Sequence, residues 1–545
     1  MKMRLKTAVL RDLMVFILAG FCMTTVKAQS GPAQTVFRIG TFDRSSAEFA
    51  GGVPKQPIDF IAGKSDPAKD WYASQPSELV SAAGAHPTKD AAAPRTITFS
   101  LDRAPAAAYQ LHVALLIEGP SVPALRVHIN GKSGTFYLQP KLDSKMGDMI
   151  DSFDPSYSHA DVVFAFPGSY LKQGANTITL QAIKEAEQAV PDAGLTYDAI
   201  ELDRDAGGFH SLASSAPQIV PTIFYQQRQG QLDEMVDVIV RYGEPVKPGS
   251  GVELAIAGQR YHQALHGGQD FGEEKLTFSV PEFPTQTRAQ LAWNVAGHAE
   301  KKEQAINPGK KWTLFLVPHI HLDIGYSDYQ AKVAAIQSRV IDESMDLTAQ
   351  HPDFRFSMDG EWDLAQFMKT RTPAEQQRAI TAIQKQQLFI PAQYANLLTG
   401  FPTAETLVRS LYASANFSRE HGTPFNYANI TDVPSYSWSY ASILASAGIK
   451  YFLAGSDNVR APVLLQGHLH ENSPFWWEGP DGQKILFWYS RHYMQMQVMF
   501  GLPPLVSAGH DTLPLFLQMY EHPSYRANAA IIFGTQVENT DLFPQ

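Results

Sequence analysis

The sequence predicts a multidomain protein in which two β-sandwiches precede an α/β domain. Its 545 residues exceed what one hydrophobic core usually holds. Up to position 307, short alternating apolar and polar runs are broken by glycine, proline, asparagine and aspartate, as in antiparallel strands. After that position, apolar strands are followed by helical periodicity, which indicates parallel strands joined by helices. The net charge of −10, without any basic run, argues against nucleic acid as a partner.

Residues 1–28 are predicted to be a signal peptide. Basic residues precede an apolar stretch at 13–22, and a small-residue site ends at Ala28. The apolar stretch is shorter than the ~20 residues of a spanning helix, and no later segment is apolar enough to span a bilayer. We therefore expect an exported protein, periplasmic or secreted, with no stable membrane span.

Residues 35–205 are predicted to form an antiparallel β-sandwich. Its strand candidates are the runs 36–39, 95–101, 111–117, 125–129 and 177–183. Within this segment, Phe37–Asp43, Asp70–Trp71, Val127–Gly131 and Tyr197–Leu202 resemble domain III of the rhamnogalacturonan lyases, polysaccharide lyase family 4. The resemblance implies a galactose-binding-like jelly roll that binds carbohydrate, without lyase chemistry. A sandwich that only supports its neighbour is the alternative.

Residues 212–307 are predicted to form a second, smaller sandwich of immunoglobulin type. Strand candidates are the runs 219–225, 236–242, 252–257, 276–280 and 289–295. No cluster of reactive side chains stands out, so a spacer is expected.

Polar residues follow the first strand of the α/β segment, 312–545. Because side chains alternate along an extended chain, His319, His321 and Asp323 are expected on one face, at the carboxyl end of a parallel strand where α/β folds place their sites. Imidazole and carboxylate suit zinc, although polar capping of a strand is the simpler alternative. Asp432 follows another candidate strand, 425–431, and precedes a helix at 440–448, so a helix-capping role is also open.

Taken together, His-x-His-x-Asp at 319–323 and Asp-x-Pro-x-x-Ser at 432–437 resemble the catalytic domain of glycoside hydrolase family 38, the α-mannosidases. The resemblance covers 312–545 and implies a seven-stranded β/α barrel and a zinc-dependent retaining hydrolase of α-mannosidic or related bonds in glycans or plant-wall polysaccharides. It makes His321, Asp323 and Asp432 zinc ligands, and Asp432 also the nucleophile. His319 then supports the ligands without binding the metal itself.

The sequence departs from the family at the acid/base residue. The segment after the run 529–533 lacks the usual Gly-Asp-Asp pattern, and Glu538 or Asp541 is the available acid. Gln545 comes before the family's fourth zinc ligand, so the barrel is expected to be truncated. A partner chain or missing C-terminal domains would complete the active site.

Three tryptophans are candidate sugar contacts: Trp362, Trp476 and Trp477. For Trp362 the alternative is a solvated helix start, and for Trp476 and Trp477 it is packing in a core. Two other functions stay open, namely a metal-dependent polysaccharide deacetylase and a non-catalytic carbohydrate-binding protein with a degenerate barrel. The deacetylase lacks support because no Asp-Asp pair follows an early strand.

Overall fold

The structure is a computed structural model of the full chain. It describes residues 34–52, 54, 57–81, 84–85, 93–117, 121–142, 158–185, 194–204, 216–295, 298–433, 435–456, 472–490, 492–501, 504–522 and 525–542. The predicted signal peptide, 1–28, and the predicted boundary between the first two segments, 205–212, lie outside these residues. Among the described helices, none has both the length and the apolarity that crossing a membrane requires.

The N-terminal segment is built almost entirely of strands, as predicted from its alternating pattern. Its elements are β1 (Gln34–Gly40), β2 (Ile58–Ile61), α1 (Pro67–Asp70), β3 (Ser74–Pro76), β4 (Glu78–Ser81), β5 (Gly84–Ala85), β6 (Arg95–Leu101), β7 (Ala108–Ile117), β8 (Ala124–Ile129), β9 (Lys132–Tyr137), β10 (Lys141–Leu142), β11 (Ser158–Pro167), β12 (Gly174–Glu185) and β13 (Gly194–Arg204). One sheet has the order β1-β13-β7-β11-β10, and a second sheet contains β8, β12 and β6. Trp71, Val113, Val127 and Tyr197 belong to the buried cluster of this segment.

The second segment is also made of strands, with the bounds β14 (Gln218–Arg228), β15 (Gln231–Tyr242), β16 (Gly251–Ile256), β17 (Gln259–Ala264), β18 (Phe271–Pro281), β19 (Thr287–Val295) and β20 (His298–Ile306). The sequence suggested a sandwich of its own, but only β16, β17, β19 and β20 form a separate sheet. Strands β14, β15 and β18 extend a sheet of the N-terminal segment, because β18 pairs in parallel with β9.

Two glycines allow β9 and β18 to pair closely, and this pairing is the seam between the two segments. Phe271 pairs with Gly134, and a Cβ atom on Gly134 would come within 2.5 Å of the Phe271 backbone oxygen. Gly272 has a φ of +117°, and its own Cβ would lie 2.7 Å from the backbone of Thr135. A larger side chain at either glycine would therefore force the two strands apart.

The C-terminal segment alternates strands and helices, as predicted. Its elements are β21 (Thr313–His321), α2 (Gln330–Gln350), β22 (Phe356–Ser357), α3 (Glu361–Thr370), α4 (Pro373–Gln384), β23 (Leu388–Phe389), α5 (Ala404–Arg409), α6 (Tyr412–His421), β24 (Tyr427–Asp432), α7 (Trp438–Ser446), β25 (Tyr451–Ser456), β26 (Phe475–Glu478), β27 (Lys484–Ser490), α8 (Gln495–Phe500), α9 (Val506–Gln518) and β28 (Ala529–Glu538). α2 begins at Gln330, and α7 is followed by Gly448 with a φ of +88°.

The strands of this segment are mostly parallel. β21 pairs with β28, β22 pairs with β23, and β24, β25 and β27 form a third parallel group with β26 antiparallel at its edge. Within the described residues these are separate sheets, so closure into a seven-stranded barrel stays a prediction. The parallel arrangement still brings the carboxyl ends of β21 and β24 to the same side of the domain, because their side chains meet there.

Candidate active site

The histidine and aspartate of the first motif lie at the end of β21. His321 is the last residue of that strand and Asp323 follows in the loop, and their side chains are 2% and 3% exposed. Asn539, just after β28, donates from Nδ2 to the backbone oxygen of Asp323 at 2.9 Å and accepts from its N–H at 3.4 Å. The parallel partner strand therefore holds the loop that carries Asp323.

Asp432 occupies an uncommon backbone conformation at the end of β24. Its φ is +65°, and the N–H of Val433 donates to the carbonyl of Thr431 at 2.8 Å. This hydrogen bond closes a three-residue γ-turn centred on Asp432, a strained turn in which aspartate is better tolerated than most residues. The turn ends the strand while the Asp432 carboxylate reaches the neighbourhood of His321, where it is 21% exposed.

The carboxylates of Asp323 and Asp432 both face the Nε2 edge of the His321 ring. Nε2 lies 3.2 Å from Oδ1 of Asp323 and 3.9 Å from Oδ2 of Asp432. Donors that share one tetrahedral zinc ion lie about 3.3 Å apart, so the first distance matches and the second is somewhat long. The described residues accordingly contain no fully assembled group of three metal-binding side chains. One imidazole nitrogen and two carboxylates are nevertheless a donor set that suits zinc.

A fourth residue, Asp359, lies behind His321 at the end of β22. It is fully buried, and its Oδ2 lies 2.9 Å from Nδ1 of His321. Asp359 lies outside the two sequence motifs, 319–323 and 432–437. Its role is not visible in the pattern because the partners come from separate strands and loops, namely Leu322, Asn396, Asn429 and Thr431.

Charge compensation governs the electrostatics of this centre. Burial alone would lower the pKa of His321, but hydrogen bonds to Asp323 and Asp359 raise it to about 10. Burial alone would raise the pKa of Asp359, but the hydrogen bond from His321 lowers it below its usual range. The pKa of Asp323 is also lowered because the bonds from His321 and from the Tyr326 hydroxyl outweigh burial. Without metal, both buried aspartates are therefore ionised around a protonated imidazole.

His319 lies in the same strand but in a different environment. It is 1% exposed and stacks on Phe533 with ring centroids 4.5 Å apart. Neither ring nitrogen has a hydrogen-bond partner among the described residues, and burial lowers its pKa to about 4. A neutral histidine packed behind the site agrees with a supporting position, and its role stays a prediction.

The two acid/base candidates have different surroundings. The Asp541 carboxylate is 53% exposed and accepts from Arg339 of α2 at 2.8 Å. This ion pair ties Asp541 to the surface of α2. The backbone of Glu538 pairs with His321 between β28 and β21, whereas its side chain lies outside the described part of the structure.

The three candidate tryptophans differ in exposure. Trp362 is 5% exposed and packs with Leu322 and Val333 in a small core cluster, so the structure gives it a packing role. Trp477 is half-buried against Phe452, with ring centroids 5.6 Å apart. Trp476 is 65% exposed on the edge strand β26. Contact of any of the three with a sugar stays a prediction.

A tight loop between β27 and α8 closes one side of the site. Tyr493 is 4% exposed and meets the edge of the His321 ring with centroids 4.9 Å apart. A Cβ on Gly455 would lie 2.9 Å from the Cα of Tyr493, and a Cβ on Gly534 would lie 2.5 Å from the backbone nitrogen of Gln495. Glycine in β25 and in β28 therefore allows the loop to approach the His321 ring.

A large cavity of about 1170 Å³ lies elsewhere, where the three segments meet. Among the described side chains, its walls include Lys184, Phe224, Lys275, His510 and Glu521, but not His321, Asp323, Asp432 or Asp541. The imidazole of His321 and the carboxylate of Asp432 come together away from this cavity, and cavity size alone does not indicate a reaction.

Comparison with protein families matches two segments. Residues 35–202 match the family model described as polysaccharide lyase family 4, domain III, and residues 311–538 match the glycosyl hydrolases family 38 N-terminal domain. Comparison with curated proteins found no match. Both matches agree with the resemblances seen in the motifs, and the second supports a glycosidase.

Two solved structures resemble part of the chain only distantly. An α-mannosidase from Enterococcus faecalis V583 is 18% identical over 42% of this chain and 25% of its own, with a TM-score of 0.34. A glycosyl hydrolase family 38 protein from the same species is 17% identical over 42% of this chain and 24% of its own, with a TM-score of 0.32. The present chain thus spans about a quarter of the length of these proteins.

A third structure covers more of the chain but is less similar. A GH2 β-galacturonidase from Eisenbergiella tayi covers 80% of this chain and 72% of its own, at 10% identity and a TM-score of 0.19. The family models therefore carry the assignment. Residues 311–538 are matched to the glycosyl hydrolases family 38 N-terminal domain, preceded at 35–202 by a segment matched to domain III of polysaccharide lyase family 4.

Proposed function

We propose that this chain is an exported, zinc-dependent retaining glycoside hydrolase that acts on α-mannosidic or related bonds of glycans. The observation that carries the proposal is the convergence of His321, Asp323 and Asp432 at the carboxyl ends of parallel strands, with Nε2 of His321 directed at both carboxylates. The match of 311–538 to a glycoside hydrolase family supports the same reaction class.

His321, Asp323 and Asp432 would hold the zinc ion. Once bound, zinc supplies Lewis-acid coordination to two neighbouring hydroxyl groups of the sugar. The side chains of this chain then have to bind the sugar ring, exclude water from its reactive face and present a nucleophile. Tyr493 and Asp323 are buried beside His321, whereas the Asp432 side chain is 21% exposed. The site is therefore open to solvent on the side of Asp432.

Asp432 would act as the nucleophile. Its carboxylate oxygen forms a bond to the anomeric carbon while the bond from that carbon to the leaving oxygen breaks, and a carboxylic acid protonates the leaving oxygen. Water then attacks the same carbon and transfers its proton to the resulting carboxylate, and Asp432 is released ionised. Glu538 is the better acid candidate, because Asp541 is held by Arg339.

The proposal extends to the architecture. β21 and β28, with the parallel group β24, β25 and β27, would form parts of a seven-stranded β/α barrel that further domains or a partner chain complete. The N-terminal segment would bind carbohydrate, and residues 1–28 would direct export. The family matches at 35–202 and 311–538 support a carbohydrate ligand for both segments.

The test compares the mature parent chain with Asp432→Asn. Asparagine accepts a left-handed backbone, so this variant keeps the γ-turn while removing the nucleophile. We expect zinc in the purified parent, release of the α-anomer from an aryl α-mannoside in early proton NMR spectra, and a loss of turnover of about 10³-fold or more in the variant. Equal turnover in both proteins, or release of the inverted anomer, would contradict the proposal.

A non-catalytic glycan-binding protein is the second candidate. It is favoured by the ion pair between Asp541 and Arg339, which removes one acid candidate from the reaction. Binding of mannosides with zinc bound but without turnover would support this second function over hydrolysis.

A further inference from the structure

Asp359 receives an unusually complete set of hydrogen bonds for a buried side chain. Its side chain is 0% exposed and lies among two neighbouring strands and the loops that follow them. The partners of its oxygens, with donor-to-acceptor distances, are Nδ1 of His321 at 2.9 Å, N of Leu322 at 2.9 Å, Nδ2 of Asn396 at 2.9 Å, Nδ2 of Asn429 at 2.8 Å and Oγ1 of Thr431 at 2.8 Å. Every one of these groups can donate to a carboxylate oxygen, and Oγ1 of Thr431 also lies 2.8 Å from Nδ1 of His321.

We infer that Asp359 is a positioning residue that keeps a proton on Nδ1 of His321 and so leaves Nε2, the nitrogen that faces Asp323 and Asp432, as the one that would bind a metal. The inference rests on the proposed function only in the use that it gives to this orientation, because a metal would bind at Nε2. The orientation itself rests on the contacts alone. A carboxylate on the second nitrogen of a metal-binding histidine fixes the ring and increases its basicity.

The surrounding backbone holds Asp359 in place. The N–H groups of Glu361 and Trp362 donate to the carbonyls of Gln393 and Tyr394 at 3.1 and 2.9 Å. A Cβ on Gly360 would lie 2.7 Å from the Tyr394 oxygen, so the chain next to Asp359 is pressed against the neighbouring loop. The backbone therefore fixes the Asp359 carboxylate, and its contact with Nδ1 orients the His321 ring.

The test uses Asp359→Asn with Asp363→Asn as the matched control. Asp363 is 2% exposed, lies in the first turn of α3 and accepts from the Asp359 N–H at 3.2 Å, and burial raises its pKa well above the usual range. Asp363→Asn replaces a buried carboxyl group by a neutral isostere, and no described contact joins Asp363 to the His321 ring. In competition with a chelator, we expect Asp359→Asn to bind zinc 10–100-fold more weakly and Asp363→Asn to bind it like the parent.

A second measurement needs no substitution at Asp359. In protein labelled with ¹⁵N-histidine, with His321→Asn for assignment, Nδ1 should carry a slowly exchanging proton with and without zinc, and only the Nε2 signal should move when zinc is added. Zinc at Nδ1, or fast exchange of the Nδ1 proton, would overturn the inference even if Asp359→Asn does not fold. Parent-like zinc affinity in folded Asp359→Asn, or equal losses in both variants, would overturn it as well.

The two proposals fail in different ways. If the parent binds no zinc, the proposed function fails, while a protected Nδ1 proton still supports the positioning role of Asp359. If the parent binds zinc and hydrolyses mannoside but the Nδ1 proton is not protected, the proposed function stands and the positioning role is wrong.

Discussion

Lys184 in β12 and Asp511 in α9 form an ion pair that joins the first segment of the chain to the last. The Lys184 side chain is 8% exposed, and Ser121 donates to the same Asp511 carboxylate at 3.1 Å. Leu515, one turn further along α9, belongs to the hydrophobic cluster of the N-terminal sandwich. The segment that carries the candidate active site is therefore anchored to that sandwich by both charge and packing.

Removing the lysine should weaken this anchor. Lys184→Met leaves the Asp511 carboxylate, which is only 33% exposed, without its charged partner. We therefore expect a loss of about 2 kcal/mol in the free energy of unfolding. Denaturant unfolding and limited proteolysis within α9 measure the effect. Arg288→Met, which breaks an exposed pair with Glu303 whose side chains are 82% and 45% exposed, is the control and should change stability by under about 1 kcal/mol. Equal effects of the two substitutions would contradict the anchor.

Glu361 should make stability depend on pH. Burial raises the pKa of Glu361 to about 7, above its ordinary value of 4.5, and its Oε2 has no hydrogen-bond partner in the described structure. The folded state thus prefers the protonated form, and stability is lost as the pH rises from about 4.5 through about 7. Glu361→Gln removes this loss, so its melting temperature should exceed that of the parent at pH 8 by the equivalent of roughly 1–3 kcal/mol.

The pH series has an internal check. At pH 5 most of the advantage of Glu361→Gln should disappear, because the parent carboxyl group is then largely protonated in the folded state. Glu420→Gln is the control, since that side chain is 75% exposed on α6. A constant difference between Glu361→Gln and the parent across the pH range would show that ionisation is not its cause.

The loop around Tyr493 should depend on glycine in β28. In Gly534→Ala the new methyl group meets backbone nitrogen 2.5 Å away, which only a shift of the loop can relieve. We expect weaker zinc binding and a lower melting temperature. Gly400→Ala adds the same methyl group where no atom lies within 4 Å and should behave like the parent. If both variants retain the zinc affinity of the parent, the loop does not support the His321 ring.

Substitution of the buried tryptophan should lower stability, whereas substitution of the exposed one should affect only glycan binding. Trp362→Ala removes a side chain packed on Leu322, which lies between His321 and Asp323, so we expect a loss of about 3–5 kcal/mol in stability. Trp476→Ala, at an exposed position, should leave the melting temperature unchanged and weaken only the retention of the protein on immobilised glycan. Normal stability of Trp362→Ala would contradict the packing role.

Local patterns in the sequence were sufficient for the strand and helix elements that carry the site. The apolar strand expected at the start of the α/β segment and the candidate strand 425–431 are found as β21 and β24, and the helical periodicity expected after the first strand is found in α2. The motif residues His321, Asp323 and Asp432 come together as their placement at strand ends suggested. These features depend on short-range periodicity, which is visible in one chain.

Contacts between distant segments were not predictable in the same way. Asp359 meets His321 across 38 positions, and Asn539 reaches Asp323 across 216 positions. The γ-turn at Asp432 and the pairing of β18 with β9 also depend on tertiary packing, which no periodicity encodes. Aromatic residues were ambiguous because the same ring suits a core and a sugar, and only exposure separates Trp362 from Trp476.

The seam between Gly134 and Phe271 determines which parts of the chain can be transplanted. If the protein were divided near residue 205 for expression or for recombination with other enzymes, β9 and β18 would each lose a partner, and both fragments would present unpaired strand edges that favour aggregation. A fragment that runs from β1 to the end of β20 keeps this shared sheet whole. For an engineer, the exchangeable unit of this protein is the pair of β-rich segments rather than either one.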